Sequence, residues 1–405
     1  MKAGWLNRHL IEICEEITDG SHFSPKSSGE DKFPYITVRD ISNGVIDFDN
    51  CKFIDKKNYD LLLKNGCKPN EGDLLFSKDG TVGKVALVNF EKEFVVLSSL
   101  AILRPKKGVI NSELLEYILL HPNFLKAAIG KKTGVAIRRI ILKNLKQIEI
   151  NFPKSLTEQK QIVALLDQAF AAIDQAKANI EKNIENAKEL FQSKLNEIFS
   201  HPSTGSGGDG WEEKSLGELG KPSMCKRILK EQTKTEGDIP FYKIGTFGKT
   251  PNAFISKEIY EEFKTKYSFP KVGDVLISAS GTIGRRVIYD GEPAFFQDSN
   301  IVWIDNNEEF VLNEYLYQFY GVCDWNPSKG ATISRLYNAD LKRIRISFPH
   351  IEAQKSLIEK MVNLSDHTEE ILLGYEQKAN NLEELKKSIL QKAFAGELTG
   401  KEVLV

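Results

Sequence analysis

Gly72-Asp-Leu-Leu-Phe-Ser-Lys-Asp-Gly-Thr-Val-Gly83 returns as Gly273-Asp-Val-Leu-Ile-Ser-Ala-Ser-Gly-Thr-Ile-Gly284, and this recurrence decides how the whole chain is read. Working outward, Gly4-Trp5 reappears as Gly210-Trp211, and Phe33-Pro34-Tyr35 resembles Ile239-Pro240-Phe241. The stretch from Gly134 to Pro153 returns from Gly330 to Pro349, carrying Ile137 to Ile333, Arg139 to Arg335, Leu145 to Leu341 and Phe152-Pro153 to Phe348-Pro349. The blocks are collinear and their spacing drifts slowly downward, as in a duplicated unit with small loop insertions and deletions.

Inside each copy the apolar signals are short and alternate with polar residues, as at Ile148, Ile150 and Phe152 and again at Ile344, Ile346 and Phe348. Helical patches lie between them, at 112–120 and 312–320, so each globular part reads as mixed α and β. After each Phe-Pro the period changes. Ile162, Leu166, Ile173, Ile180 and Leu195 in the first copy, and Leu357, Met361, Leu364, Ile371, Leu382 and Ile389 in the second, step by threes and fours, the spacing of a coiled-coil seam. The expected fold class is therefore α+β: two mixed α/β domains in tandem, separated by two long helices that pair as an antiparallel coiled coil, with an internal pseudo-two-fold repeat. The expected boundaries are a first globular domain at 1–153, a first helix at 154–200, a second domain at 201–349 opening with a linker at 201–210, and a second helix at 350–405. At about 1.5 Å per residue each helix would span roughly 60 Å and act as a spacer between the domains.

Composition narrows the function classes. A chain of 405 residues with 41% hydrophobic residues can bury more than one core. No apolar stretch is long enough to cross a bilayer and no signal-type core opens the chain, so a cytoplasmic protein is expected. The five cysteines are widely separated, without a CxxC pair, and fit neither a disulfide framework nor a zinc module. Lys plus Arg (55) nearly balances Asp plus Glu (56), so any nucleic-acid footprint has to come from local clustering.

Such clusters recur in both copies. Lys131, Lys132, Arg138 and Arg139 in the first, and Lys329 and Arg335 in the second, are candidates for phosphate contact; the competing reading is a solvated basic face. The Gly-Thr-x-Gly loops, with Lys78, Thr81 and Lys84 in one copy and Ser280, Thr282, Arg285 and Arg286 in the other, could bring backbone N–H groups and a trailing basic side chain to a phosphate. They lack Walker spacing, and a tight turn needing glycine for positive φ accounts for them equally well. Ser21 and His22 form a third candidate, His22 as a donor to a base edge. No site for catalysis, metal or dinucleotide emerges: Asn326-Pro-Ser-Lys329 lacks the second proline and aromatic of an amino-methyltransferase tetrad, and no GxGxxG loop opens a βα unit.

The tandem of two globular parts, each followed by a heptad helix, resembles the specificity subunit of type I restriction-modification enzymes. The residues that carry the resemblance are the 72–83 block, Phe152-Pro153 leading to Glu158-Gln159, and the closing Ser388-Ile-Leu-Gln-Lys-Ala-Phe-Ala-Gly-Glu-Leu-Thr399; in the second copy Ala353 replaces the glutamate and Gln354 is retained. The resemblance covers essentially the whole chain. It implies two target recognition domains reading the halves of a split, asymmetric double-stranded DNA sequence. It also implies helices that dock two methyltransferase subunits and restriction or motor subunits, with S-adenosylmethionine, ATP and Mg²⁺ held by those partners and no cofactor on this chain. The chain itself would be non-catalytic. The alternatives are a specificity subunit of a methyltransferase-only or fused restriction system, an unrecognised DNA-modifying enzyme, or an adaptor that never touches DNA.

Overall fold

The computed structural model describes residues 2–28, 33–130, 140–200, 210–327 and 335–398. The chain divides into two compact units: residues 1–180 together with 377–405, and residues 181–376. The five cysteines carry no disulfide, and among the described residues no helix is long and apolar enough to cross a membrane.

The duplication is carried through in the sheets. In the first unit Trp5–His9 pairs antiparallel with Glu149–Pro153, and in the second Trp211–Ser215 pairs with Arg345–Pro349. A four-stranded sheet ordered Cys14–Asp19, Leu100–Pro105, Leu74–Ser77, Val85–Leu87 has its counterpart in Gly220–Ser223, Ile301–Asn306, Val275–Ser278, Arg286–Ile288. A three-stranded sheet follows in each, centred on Phe33–Ile36 and on Ile239–Tyr242, each pairing one neighbour antiparallel and the other parallel. The central strands Leu74–Ser77 and Val275–Ser278 are buried at every position, which explains why they read as continuous apolar runs rather than alternating ones. Equivalent helices follow at Lys56–Lys64 and Lys257–Lys266, capped by the side chains of Asp55 and Ser256.

A buried glutamine ties each globular domain to the helix after it. Gln159 accepts from the Asn111 amide (2.8 Å) and donates to the carbonyls of Val109 (3.0 Å) and Pro153 (2.8 Å). Gln354 repeats the pattern with the Leu312 amide and the carbonyls of Phe310 and Pro349. Both side chains are fully buried. A neutral amide supplies one acceptor oxygen and two N–H donors there without burying a charge.

The two long helices run Leu156–Phe199 and Ile351–Ala395. Their apolar positions do not face one another alone. Ile162, Leu166 and Ile173 are part of the core of the first unit, together with Leu114, Leu115, Leu390 and Ala393, and Leu382 and Ile389 pack against that same core. Ile180 is buried at the end of this stretch. Within this unit the helices pair antiparallel, since Asp174 meets Lys386 (3.3 Å) and Lys177 meets Glu383. In the second unit Leu195 and Met361 join the domain core, with Leu357 packed against it and Leu364 half-buried. Ile371 departs from expectation: it is exposed, and Leu372 takes the half-buried position instead. The stripe runs Thr368, Leu372, Tyr375, Ala379, and a step of four there keeps it on one face of a 3.6-residue helix, whereas a step of three rotates Ile371 off it.

Candidate nucleic-acid interface

The Gly-Thr-x-Gly blocks form the same turn twice. Ser77 Oγ donates to the Thr81 carbonyl (2.7 Å) and accepts from the Lys84 amide (2.8 Å); Ser278 does the same with Thr282 (2.6 Å) and Arg285 (2.8 Å). Gly80, Gly83, Gly281 and Gly284 all have positive φ, so glycine is demanded by the backbone. At Gly284 a Cβ would also run into the Trp325 indole.

The trailing basic residues correct the sequence reading. Lys84 Nζ donates to the carbonyls of Val38 (3.0 Å) and Ile41 (2.6 Å), and Arg285 Nη1 to those of Ile244 (3.4 Å) and Phe247 (2.9 Å). Both staple a neighbouring loop and are spent on it. Arg286 lies over the Tyr317 ring with its Nε buried, so it too is turned inward. Ser21 is buried, its hydroxyl bonded to the backbone of Phe23. Lys131, Lys132, Arg138, Arg139 and Lys329 lie outside the described residues.

What the fold brings together is a cluster of loops around each turn. In the first unit the Lys78 amide donates to the Ser99 carbonyl (2.9 Å) and the Lys78 carbonyl accepts from Ile140 (2.8 Å); Ala279 makes the equivalent bonds with Asn300 (2.7 Å) and Leu336 (2.9 Å). The turn, the loop before strand Leu100–Pro105 or Ile301–Asn306, and Ile140 or Leu336 therefore meet in both units. Thr81 and Thr282 are exposed at the tips. Strand register extends the correspondence: Leu103 pairs with Ile17, and its counterpart Ile304 pairs with Pro222. Five residues further on, His22 corresponds to Arg227.

On this shared frame the side chains differ in kind. In the first unit Lys78, nearly buried, lies 3.3 Å from Asp19 and 3.5 Å from Asp79, and His22, 76% exposed, lies 3.4 Å from Asp19. Burial holds the Asp19 carboxyl above the usual range, opposed by Lys78 and then His22. Asp19 Oδ1, Asp79 Oδ1 and Ser99 Oγ are all buried; Asp19 Oδ1 faces Lys78 Nζ at 3.3 Å, and among the described residues Asp79 Oδ1 and Ser99 Oγ have no hydrogen-bond partner. The site is built around a buried lysine and two carboxylates. In the second unit the equivalent recess, a cavity of about 370 Å³, is lined by Arg227, Lys230, Lys243 and Arg335 around Asn300. Arg335 Nη2 donates to the Ser299 carbonyl (3.1 Å), and Ser280 Oγ donates to Asn300 Oδ1 (2.6 Å). This site is rich in donors.

The second recess is also strained. Ser299 has φ 59, and the Asn300 amide donates to the Asp298 carbonyl across it (2.7 Å), a γ-turn in the positive-φ form that L-residues rarely adopt. Such a conformation costs about 1–3 kcal/mol. It presents Asp298 to Arg227 Nε at 2.8 Å, but the arginine is 68% exposed, and exposed ion pairs contribute only about 0.2–1 kcal/mol. The Arg227 pair alone does not offset the turn, which is also held by the Ser280, Ser299 and Arg335 side chains. Arg227, Lys230 and Lys243 were missed in the sequence because Arg227 shares no local sequence with His22; only the Lys226-Arg227 and Lys230 cluster signalled them.

A second feature is repeated at the base of each unit. A cavity of about 730 Å³ lies at Trp5, between Ile162 and Leu165 of one helix and Ala393 and Leu398 of the closing segment. One of about 560 Å³, mostly apolar, lies at Trp211, between Leu357 and Leu364 and the residues Leu190 and Ile198.

The model of a family described as the type I restriction modification DNA specificity domain matches residues 2–186 and again residues 208–382. A putative type I restriction enzyme specificity subunit of Haemophilus influenzae is 41% identical over 301 residues, 70% of this chain and 73% of that one. A putative MjaX specificity subunit of Methanocaldococcus jannaschii is 27% identical over 97% of this chain and 93% of that one. Two solved structures share the fold. A chain from a study of complex assembly and conformational transition of the type I R-M system superposes with a TM-score of 0.76 at 19% identity, covering 98% of this chain and 99% of that one. The HsdS subunit from Thermoanaerobacter tengcongensis gives 0.61 at 19% identity, covering 98% of each.

Proposed function

Since this chain belongs to the family of type I restriction-modification specificity subunits, with two specificity domains in tandem, we propose that each domain reads one half of a split, asymmetric double-stranded DNA target. The observation that carries this reading is one loop frame bearing unlike chemistry: a buried Lys78 between Asp19 and Asp79 with His22 exposed beside it in the first unit, and a basic recess of Arg227, Lys230, Lys243 and Arg335 in the second. Donors in the second unit suit guanine N7 and O6 and the phosphates, whereas the first unit offers the His22 imidazole at its surface. Identical frames with unlike side chains read unlike half-sites.

The repeated cavities at Trp5 and Trp211 support docking of two copies of one partner, the methyltransferase subunit, with restriction or motor subunits joining that assembly. S-adenosylmethionine chemistry, ATP and Mg²⁺ belong to those partners in this reading, and the chain contributes recognition. The test is to co-express the chain with its methyltransferase subunit and map methylated adenines, then to replace residues 1–153 with another recognition domain. The expected outcome is a change in one half of the methylated sequence. Changes in both halves, or methyl transfer by the purified chain alone, would overturn it.

A further inference from the structure

We propose that Arg227 is the residue of the second domain that identifies a guanine, and that the Asp298-Ser299-Asn300 turn exists to aim it. The inference rests on the DNA-reading role proposed above and deepens it. Among the described residues Arg227 is bound through Nε, to Asp298 Oδ2, and its side chain is 68% exposed, so the terminal nitrogens of its planar fork are left to solvent at the mouth of the basic recess. That fork matches the N7 and O6 acceptors of guanine in a bidentate pair. Asp298 is itself fixed from every side. Ser299 Oγ donates to the same carboxylate oxygen (3.3 Å), the Asn300 amide closes the turn on the Asp298 carbonyl, and Ser280 and Arg335 hold Asn300 and Ser299 from behind.

The rest of the recess behaves differently. Lys230 and Lys243 line it without such a buttress, and a point charge on a flexible stem fits a phosphate rather than a base edge. In the first domain the place of Arg227 is taken by His22 on Asp19, and the strained turn is absent from Ser98, which is not among the residues of positive φ. Among the described residues the arginine, its carboxylate and the strain occur together in the second unit and not at the matching positions of the first.

The test uses the intact complex with its methyltransferase subunit and reads methylation across a library randomised in both half-sites. Arg227→Ala is expected to relax one G·C position in one half-site by roughly 5- to 150-fold, the discrimination that a bidentate contact supplies. The other half-site stays unchanged. Asp298→Asn should relax the same position less. Arg227→Lys keeps the charge but cannot pair bidentately, so it should restore overall DNA binding without restoring the guanine preference. Three results overturn the proposal: Arg227→Lys with wild-type preference, Arg227→Ala with uniformly weaker methylation and every preference intact, or a half-site for the second domain without a G·C pair. Each leaves split-site reading itself standing, whereas a wild-type complex without a bipartite target would sink that reading first.

Discussion

Gln159 shows how much one side chain can hold at the residue scale. Gln159→Ala leaves two buried carbonyls and the Asn111 amide without partners, and the expected loss is about 2–4 kcal/mol, seen as faster hydrogen exchange in residues 109–111 and 153–162. Glycine 284 and glycine 281 offer a contrast. Both have positive φ, but alanine at 281 meets open space and should cost about 1 kcal/mol, while alanine at 284 also collides with Trp325 and should cost markedly more in thermal denaturation. Asp274 carries a pH prediction. Burial raises its carboxyl above the usual value, with Asp305 adding to the effect and the Lys271 amide opposing it. A raised folded-state pKa contributes stability that is complete below about 3.9, the unfolded value, and is lost as pH rises through the folded value. Asp274→Asn keeps an acceptor for the Lys271 amide (2.8 Å) and removes the buried charge. It should therefore flatten the stability profile above pH 4 and match or exceed the wild type at pH 7, as denaturant midpoints across that range would show.

At the scale of the element, the two kinds of pattern were not equally legible. The long helices were written plainly in the sequence, because apolar residues recur at helical spacing for forty residues after each Phe-Pro. Their partners were not, because the same spacing serves a helix facing a helix and a helix facing a domain core, and Ile162 and Leu195 do the second. One substitution pair separates these cases. Met361→Ala, at a fully buried position, should cost about 2–4 kcal/mol, while Ile371→Ala on the exposed side should change the denaturation midpoint within error. The sheets were visible only as short alternating runs; their order depends on pairings between strands up to a hundred and more residues apart, which no local window contains. The candidate interface was half legible for the same reason. The glycine turns and Arg335 stand out in the sequence, Lys84 and Arg285 read as phosphate contacts there because a sequence cannot show which carbonyl an amine will meet, and Arg227 emerges only from strand register.

For the molecule as a whole, the division into units cuts across the order of the chain: residues 377–398 belong with the first unit, not with the domain they follow. Leu390 and Ala393 are buried in its core, Phe394 stacks edge-on against His121, and Gly396 packs on Lys2. Removing residues 388–398 should therefore destabilise the first unit by on the order of 5 kcal/mol, at about 1.5–3 kcal/mol per large side chain withdrawn. The second unit should keep its protection, and limited proteolysis would show cleavage within residues 1–180 before 210–349. The same arrangement bears on how the chain is made. A ribosome delivers residues 1–180 first, yet their core waits for side chains that emerge more than two hundred residues later, after the second domain has had time to fold. A message cut short upstream of that point yields a first domain with an open seam, its Leu166 and Ile173 deprived of the side chains that close over the core.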